Sequence, residues 1–404
     1  MEYRWRRTLI RAIAAVEWRI DGVVYRLRRA LGSPHAAQIV AYRGCGTATR
    51  LVLQGRVLEH RPPRPSRQSD RRWDNFRHMV RRLASAEIPY ARLRARYGTL
   101  TQEAAADEEG MFSFDLALPA PDAANGLWRE VEIELLAPLP RRQQTPIRAT
   151  GCVLVPPPGA RVAVVSDIDD TIIQTGAVNV LRMMGAMLFA SAHTRSPFPG
   201  VAALYRALHG GCSGGEANPM FYVSSSPWNL YDLLCQFFEL HDIPIGPVLF
   251  LRNWGISEEE LLPLHHGRHK RQIIERLLAI YPSLPFLLIG DSGQQDAEIY
   301  AALVQDYPGR IAGIYIRNVS RRPERVRAVE ALAAQTSAAG VPMELVADSV
   351  ALARHAARAG WISPDALGQV RAQRAAEERR RADTRGREDT PGREDARART
   401  KRGK

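Results

Sequence analysis

Lysine is nearly absent from this sequence. Of 56 basic residues only three are lysine, Lys270, Lys401 and Lys404, and arginine fills the other positions. A solitary ammonium in an arginine background marks a place where a planar guanidinium does not substitute for a compact point charge, which makes Lys270 a candidate functional residue. Cysteine is scarce as well. Cys45, Cys152, Cys212 and Cys235 lie far apart with no CxxC spacing, which argues against a cysteine zinc site or a disulfide framework and predicts a reducing compartment. No run of about 18 uncharged apolar residues occurs, so no spanning helix is expected. The apolar stretch Leu9 to Val16 is broken by Arg11 and followed by Glu17, a poor secretory core. The expected location is the cytoplasm, with at most a peripheral hold on a membrane.

What is present suffices for two or three domains, since the chain has 404 residues, 45% of them hydrophobic. The net charge of +13 sits at the ends. Residues 1–31 hold eight arginines against Glu2, Glu17 and Asp21, and residues 371–404 hold thirteen Lys/Arg against seven acids. The body between them is nearly neutral. Basic ends point to an anionic partner, lipid headgroups or nucleic acid. No aromatic-interleaved basic motif is present, which disfavours nucleic acid. Residues 1–35 read as a basic amphipathic helix. Trp5, Leu9, Ile13, Val16, Ile20, Val23 and Leu27 form its apolar stripe, and Gly32-Ser33-Pro34 ends it. Such a helix suits an anionic membrane surface.

Over 36–157 the period changes to two. Val131, Ile133 and Leu135 alternate with Glu130, Glu132 and Glu134, as a sheet with one wet face requires. Strands are expected at 39–42, 51–58, 92–97, 111–118, 130–136 and 147–155, with a loop at 61–72 and a helix at 73–84. The expectation is an antiparallel β-sandwich domain with no catalytic constellation. Pro156-Pro157-Pro158-Gly159 marks the boundary. Over 158–366, short apolar strands at 162–165, 220–223, 248–251, 286–289 and 311–316 are separated by helices at 200–209, 227–240, 270–280 and 296–304. Alternating strands and helices with strands buried on both faces predict α/β architecture, a doubly wound parallel sheet. Residues 367–404 read as a basic tail, largely disordered, with the disorder expected after about Ala382.

Ligands of doubly wound sheets bind at the carboxyl ends of the strands. Those ends carry Asp167-Ile168-Asp169-Asp170-Thr171, Ser224-Ser225-Ser226 and Gly290-Asp291 running to Asp296, with Lys270 at a helix start. The intervening residue lets Asp167 and Asp169 leave the strand end on one side. One carboxylate can attack phosphorus, and the other can protonate the leaving oxygen and then deprotonate water. An anionic nucleophile meeting an anionic phosphate needs neutralisation. Mg²⁺ on Asp167, the Asp169 carbonyl and Asp291 would supply it, and Lys270 would offset the remaining charge. Ser224, with Ser225 as its competitor, and Thr171 offer hydroxyls to the phosphoryl oxygens. Ser226 reads as the N-cap of a helix with Pro227 at its first position. A calcium loop is disfavoured, because Ile172 stands where that loop needs glycine. His265, His266 and His269 lack matching ligands elsewhere and read as a solvated loop.

DIDDT at 167–171, the serine after the strand at 221–223, Lys270 and GD-x4-D at 290–296 resemble the haloacid dehalogenase-like phosphohydrolases. FYVSSSPWNLY (221–231), LLIGDSGQQDAEIY (287–300) and RIAGIYIRNV (310–319) look like one branch, the phosphatidate phosphatase family founded on a fungal actin-patch protein. The resemblance spans about 160–360. It implies Asp167 as nucleophile, Asp169 as acid/base, and a metal at Asp291 supported by Asp296. It also implies conversion of phosphatidate, or a related lipid phosphate, to diacylglycerol. The intervals 172–220 and 252–269 are too short for a large cap, so an open site suited to a bulky substrate is expected, with Met183–Ala192 available to touch acyl chains. Two alternatives stand beside this reading: a nucleic-acid or nucleotide end phosphatase, and a membrane adaptor with a vestigial site.

Overall fold

The structure, a computed structural model, describes residues 37–59, 87–122, 126–139, 145–174, 197–252 and 266–388. The helices expected at 3–31 and 73–84, and the stretch 183–192, lie outside the described residues.

The first unit holds β1 (Ala37–Ala41), β2 (Gly44–Thr47), β3 (Arg50–Glu59), β4 (Arg92–Tyr97), β5 (Leu100–Ala105), β6 (Met111–Ala117), β7 (Trp128–Ala137) and β8 (Arg148–Leu154). All eight join one hydrogen-bonded sheet in the order β1-β3-β2-β8-β7-β4-β5, with β6 on the other side of β3. The strands form one hydrogen-bonded sheet rather than two separate ones, with β3, β6, β4 and β7 sharing one core, and the expectation of purely antiparallel pairing is corrected because the β2–β8 pair is parallel. Alternation specifies which face of a strand is buried, not which strands are neighbours. The faces are as expected. Leu51, Leu53, Phe112, Phe114, Val131, Ile133 and Leu135 bury in one core. The sequence reading missed β2 because it is Gly-Cys-Gly-Thr. A Cβ at Gly44 would stand 2.1 Å from the Val52 carbonyl oxygen, so the close strand approach demands glycine there.

The second unit holds β9 (Ala163–Asp167), α1 (Val201–Gly210), β10 (Met220–Pro227), α2 (Tyr231–Leu240), β11 (Val248–Arg252), α3 (His266–Ile280), β12 (Phe286–Asp291) and α4 (Asp296–Asp306). It continues through β13 (Ile311–Arg317), α5 (Pro323–Ala338), β14 (Met343–Val346), α6 (Ser349–Arg358) and α7 (Ala366–Glu388). Six strands pair in parallel in the order β11-β10-β9-β12-β13-β14. Their alternate residues feed two cores. Val164, Tyr222, Leu287 and Tyr315 meet α1, α2, α6 and α7 on one face. Val165, Phe221, Leu288 and Ile314 meet α3, α4 and α5 on the other. Continuous apolar strands follow from burial on both faces.

Three sequence expectations need revision. Residues 367–388, assigned to a basic tail with disorder expected after about Ala382, belong with Ala366 to a helix whose Ala366 and Val370 are buried in the first of those cores. The helix expected from Ser226 and Pro227 begins only at Tyr231, after a 3₁₀ turn at Trp228–Leu230. Pro227 still belongs to β10, because its pairing with β11 resumes at Arg252 after an irregularity. Lys270 lies a turn inside α3 rather than at its start. The two units touch where Tyr42 stacks on Trp228 with ring centroids 4.6 Å apart, and where Gly46 N donates to the Tyr281 hydroxyl at 3.1 Å.

Candidate active site

The central position of β9 decides where the chemistry can gather. Its neighbours β10 and β12 run parallel to it in register, Val223 beside Asp167 and Ile289 beside Ser166, so their carboxyl ends open on one edge. β9 leaves the sheet through a tight turn in which Thr171, Ile172 and Ile173 all donate backbone N–H groups to the Ile168 carbonyl. Asp170 takes a left-handed φ of 55° there, a conformation aspartate tolerates. Asp167, Asp169 and Thr171 are buried at this exit, and Ser224 is buried in β10 just past Val223, where the pairing with β9 ends. Ser225 lies in the same strand, with its side chain outside the described set.

Lys270 ties the edge together. Its Nζ donates to Asp167 Oδ1 at 2.8 Å and to Asp296 Oδ1 at 2.5 Å. Asp296 Oδ2 accepts from the Asp291 backbone N–H at 3.2 Å. Asp291 is itself cradled, since its Oδ1 accepts from the N–H groups of Gly293 (2.6 Å) and Gln294 (3.1 Å). Asp296 does not cap α4: Gln295 holds that position, and the Asp296 side chain turns into the site. Gly290 makes this possible, because a Cβ there would stand 2.3 Å from Asp296 Oδ2. The glycine of the GD motif is thus a requirement of close approach.

Carboxylate oxygens of Asp167, Asp291 and Asp296 lie within 4.8 Å of one another, all buried. Among the described residues no histidine or cysteine joins such a cluster. His265 lies outside the described residues, and His266 and His269 lie on α3. Burial pushes the Asp167 carboxyl well above the usual range; Lys270 pulls it down, and Asp296, Asp291 and Asp169 push it up again. Burial and Asp296 raise Asp291 to about 7. Burial opposes the Lys270 charge, yet Asp167 and Asp296 outweigh it and hold the ammonium protonated. Several buried carboxylates against one ammonium leave an excess of negative charge that a divalent cation would neutralise. Asp167 Oδ2 is buried without a hydrogen-bond partner, as is Thr171 Oγ1. An all-oxygen donor set with one unmet carboxylate oxygen fits magnesium.

The edge thus brings together Asp167, Lys270, Asp291 and Asp296 through direct contacts, with Asp169, Thr171 and Ser224 buried on the adjoining strand exits. Two further residues escaped the sequence reading. Arg317, at the end of β13, donates from Nε to the Thr171 carbonyl at 3.1 Å and from Nη2 to Ser349 Oγ at 3.1 Å, and it lies 4.2 Å from the Phe198 ring centroid. Burial lowers its pKa to about 10. Arg325 on α5 donates to the Ser292 carbonyl (2.7 Å) and the Gln294 carbonyl (2.5 Å). These two guanidinium groups brace the two acidic loops through backbone carbonyls. A charge closing the apolar run Ile311–Ile316 was the available signal for Arg317.

Residues 162–318 match the family model described as phosphatidate phosphatase APP1, catalytic domain. The Saccharomyces cerevisiae protein named phosphatidate phosphatase APP1 is 33% identical over 156 residues, 39% of this chain and 26% of the yeast protein. A Schizosaccharomyces pombe relative, uncharacterized protein C29B5.04c, is 30% identical over 159 residues, covering 39% of this chain and 25% of that protein. The chain therefore aligns with about a quarter of the length of these curated relatives. Among solved structures, that of XAC1771, a carbohydrate acetylesterase from Xanthomonas citri, overlaps 72% of this chain and 71% of its own at 12% identity. Its TM-score is 0.24, a likeness that carries no argument about fold or function.

Proposed function

We propose, from the premise that residues 162–318 belong to the phosphatidate phosphatase APP1 catalytic-domain family, that this chain is a Mg²⁺-dependent phosphomonoester hydrolase acting on phosphatidate or a related lipid phosphate. The products are diacylglycerol and inorganic phosphate. The parallel sheet is read as haloacid dehalogenase-like, of the minimal-cap kind. One observation carries the reading: Lys270 bridges Asp167 and Asp296 in a buried cluster that Asp291 completes.

In this mechanism an Asp167 carboxylate oxygen attacks phosphorus as the bond to the ester oxygen breaks, forming an aspartyl-phosphate. Asp169 gives its proton to the departing alkoxide. It then takes a proton from the water that attacks the same phosphorus, which releases phosphate and restores the Asp167 carboxylate. Ser224 and Thr171, with Ser225 beside them, donate to the phosphoryl oxygens. Lys270 fixes the nucleophile and offsets the charge brought by the phosphoryl group. Asp167, the Asp169 carbonyl and Asp291 would hold Mg²⁺, with Asp296 orienting Lys270 and the Asp291 loop. The ion supplies neutralisation between nucleophile and phosphate.

A cytoplasmic protein recruited peripherally to anionic membranes fits the charge of its ends. Each basic residue near such a surface is worth about 1 kcal/mol. The site test is phosphate release from phosphatidate in detergent micelles and from sugar and nucleotide phosphates, with Mg²⁺ or with chelator. Release from phosphatidate that stops with chelator supports the reading. Preference for a nucleotide phosphate, or release indifferent to chelator, overturns its substrate or its metal. The membrane part is tested by sedimentation with phosphatidylserine vesicles, with and without residues 1–31, and unchanged partitioning contradicts it.

A further inference from the structure

The helix α7 begins well beyond the span 162–318 that the family comparison covers, yet it grips the chain on both sides of the segment that follows the acidic turn. Arg381 Nη1 donates to Gln174 Oε1 at 3.1 Å, and its Nη2 donates to the Pro197 carbonyl at 2.5 Å. One guanidinium thus holds the two stems of the segment that leaves after Ile173 and returns before α1. One turn earlier, Glu377 Oε2 accepts the Gly200 N–H at 2.8 Å. Gly200 is the N-cap of α1, and no side chain of its own caps that helix. A carboxylate from α7 accepts the N-cap's own N–H, as the acid of a capping box does, and brings the negative charge a helix N-terminus favours. Gly200 has a φ of 76°, and a Cβ there would lie 3.1 Å from the Val370 carbonyl oxygen, so the two backbones are in near contact.

The stems lead directly to the reacting groups. Ile173 bridges to Pro197, and Phe198 N–H donates to the Ile172 carbonyl at 2.9 Å, one residue past Thr171. A second route starts at Arg374, which pairs at 2.5 Å with Asp348, the N-cap of α6. The next residue, Ser349, accepts from Arg317, the donor to the Thr171 carbonyl. Both routes end on the turn that carries Asp167, Asp169 and Thr171.

We propose that α7 is an integral part of the active site, with Arg381 as a positioning residue that fixes the turn bearing Asp169 and Thr171. The catalytic consequence rests on the phosphatase reading above; the positioning itself does not. Geometry at a reacting centre is steep in its effect on rate, since displacement of about 1 Å can cost on the order of 100-fold. Partial release of a stem should therefore cost on the order of tenfold.

The test compares Arg381→Ala, Arg381→Lys and, as a control of equal charge change on the same helix, Arg371→Ala, all in the full chain. Turnover is measured on soluble p-nitrophenyl phosphate and on micellar phosphatidate, and amide hydrogen exchange is followed at Phe198 and Gly200. For Arg381→Ala the expected result is a kcat lower by roughly tenfold on both substrates, KM for the soluble ester within about twofold, and faster exchange at both amides. Arg381→Lys should recover part of the loss, and Arg371→Ala should match the parent. Wild-type exchange and kcat in Arg381→Ala would overturn the proposal. So would a loss seen only with micelles and shared equally by Arg371→Ala, which would assign α7 to surface attraction. If the parent protein released phosphate from no ester, the phosphatase reading would fail, and the exchange result alone would still decide whether Arg381 fixes the turn.

Discussion

The two sheets of this molecule differ in where they keep most of their charge. In the eight-stranded sheet Arg56 and Arg129 are buried and pair with Glu87 and Asp122, while most charges stand on the wet face and pair across strands in solvent, as Arg50 does with Asp115 and Arg148 with Glu132. In the six-stranded sheet they are withdrawn from water to the carboxyl edge, where Asp167, Lys270, Asp291, Asp296 and Arg317 are all at most 5% exposed. Exposed pairs of the first kind contribute little to stability. Buried charges of the second kind cost desolvation that their mutual attraction seldom repays in full, so their retention points to function. The comparison predicts that the exposed pairs of the first sheet are dispensable and that the buried charges of the carboxyl edge are not.

The sharpest way to break that contrast is at Asp167, the proposed nucleophile. Asp167→Asn keeps the shape and removes the oxygen proposed to attack, and phosphate release should fall by at least about 1,000-fold. A smaller loss would return Asp167 to a structural role. Lys270→Arg is next, because it keeps the charge and replaces a compact ammonium held 2.8 and 2.5 Å from two carboxylates with a wider fork. Turnover should drop on the order of 100-fold, and unchanged kinetics would show that any cation serves there. Gly290→Ala forces a methyl against Asp296 and should destabilise the protein by about 1–3 kcal/mol in denaturant titration while weakening catalysis. Full stability would mean that the Gly290–Asp296 approach is not needed. The smallest effect belongs to the other sheet. Arg148→Ala should leave both turnover and melting temperature unchanged, and a marked loss of either would dissolve the distinction between the two sheets.

Most of the acidic edge was legible in the sequence because parallel strands buried on both faces write continuous apolar runs, and a polar residue ending such a run marks the ligand edge. DIDDT and GD-x4-D converge for that reason, and Lys270 joins them from one turn inside α3. The pairing of the first sheet was not legible, since period-two alternation is blind to neighbours and β2 contributes only four residues, two of them glycine. Beyond residue 318 the pattern fades physically. α5 buries only Val329 and Thr336, and α7 carries its packing on a narrow stripe within a highly charged run. The bracing roles of Arg317, Arg325 and Arg381 were invisible for another reason. Each guanidinium reaches a backbone carbonyl remote in sequence, and no side-chain motif records such a contact.

The proposed covalent step can be tested directly. Phosphatidate turnover quenched in acid and treated with borohydride reduces an acyl phosphate to an alcohol, which converts the modified aspartate to homoserine. The account predicts homoserine at position 167 alone, lost when Asp167 is Asn or when Mg²⁺ is chelated. Homoserine at 169, or its absence from 167 in samples quenched during active turnover, would contradict it.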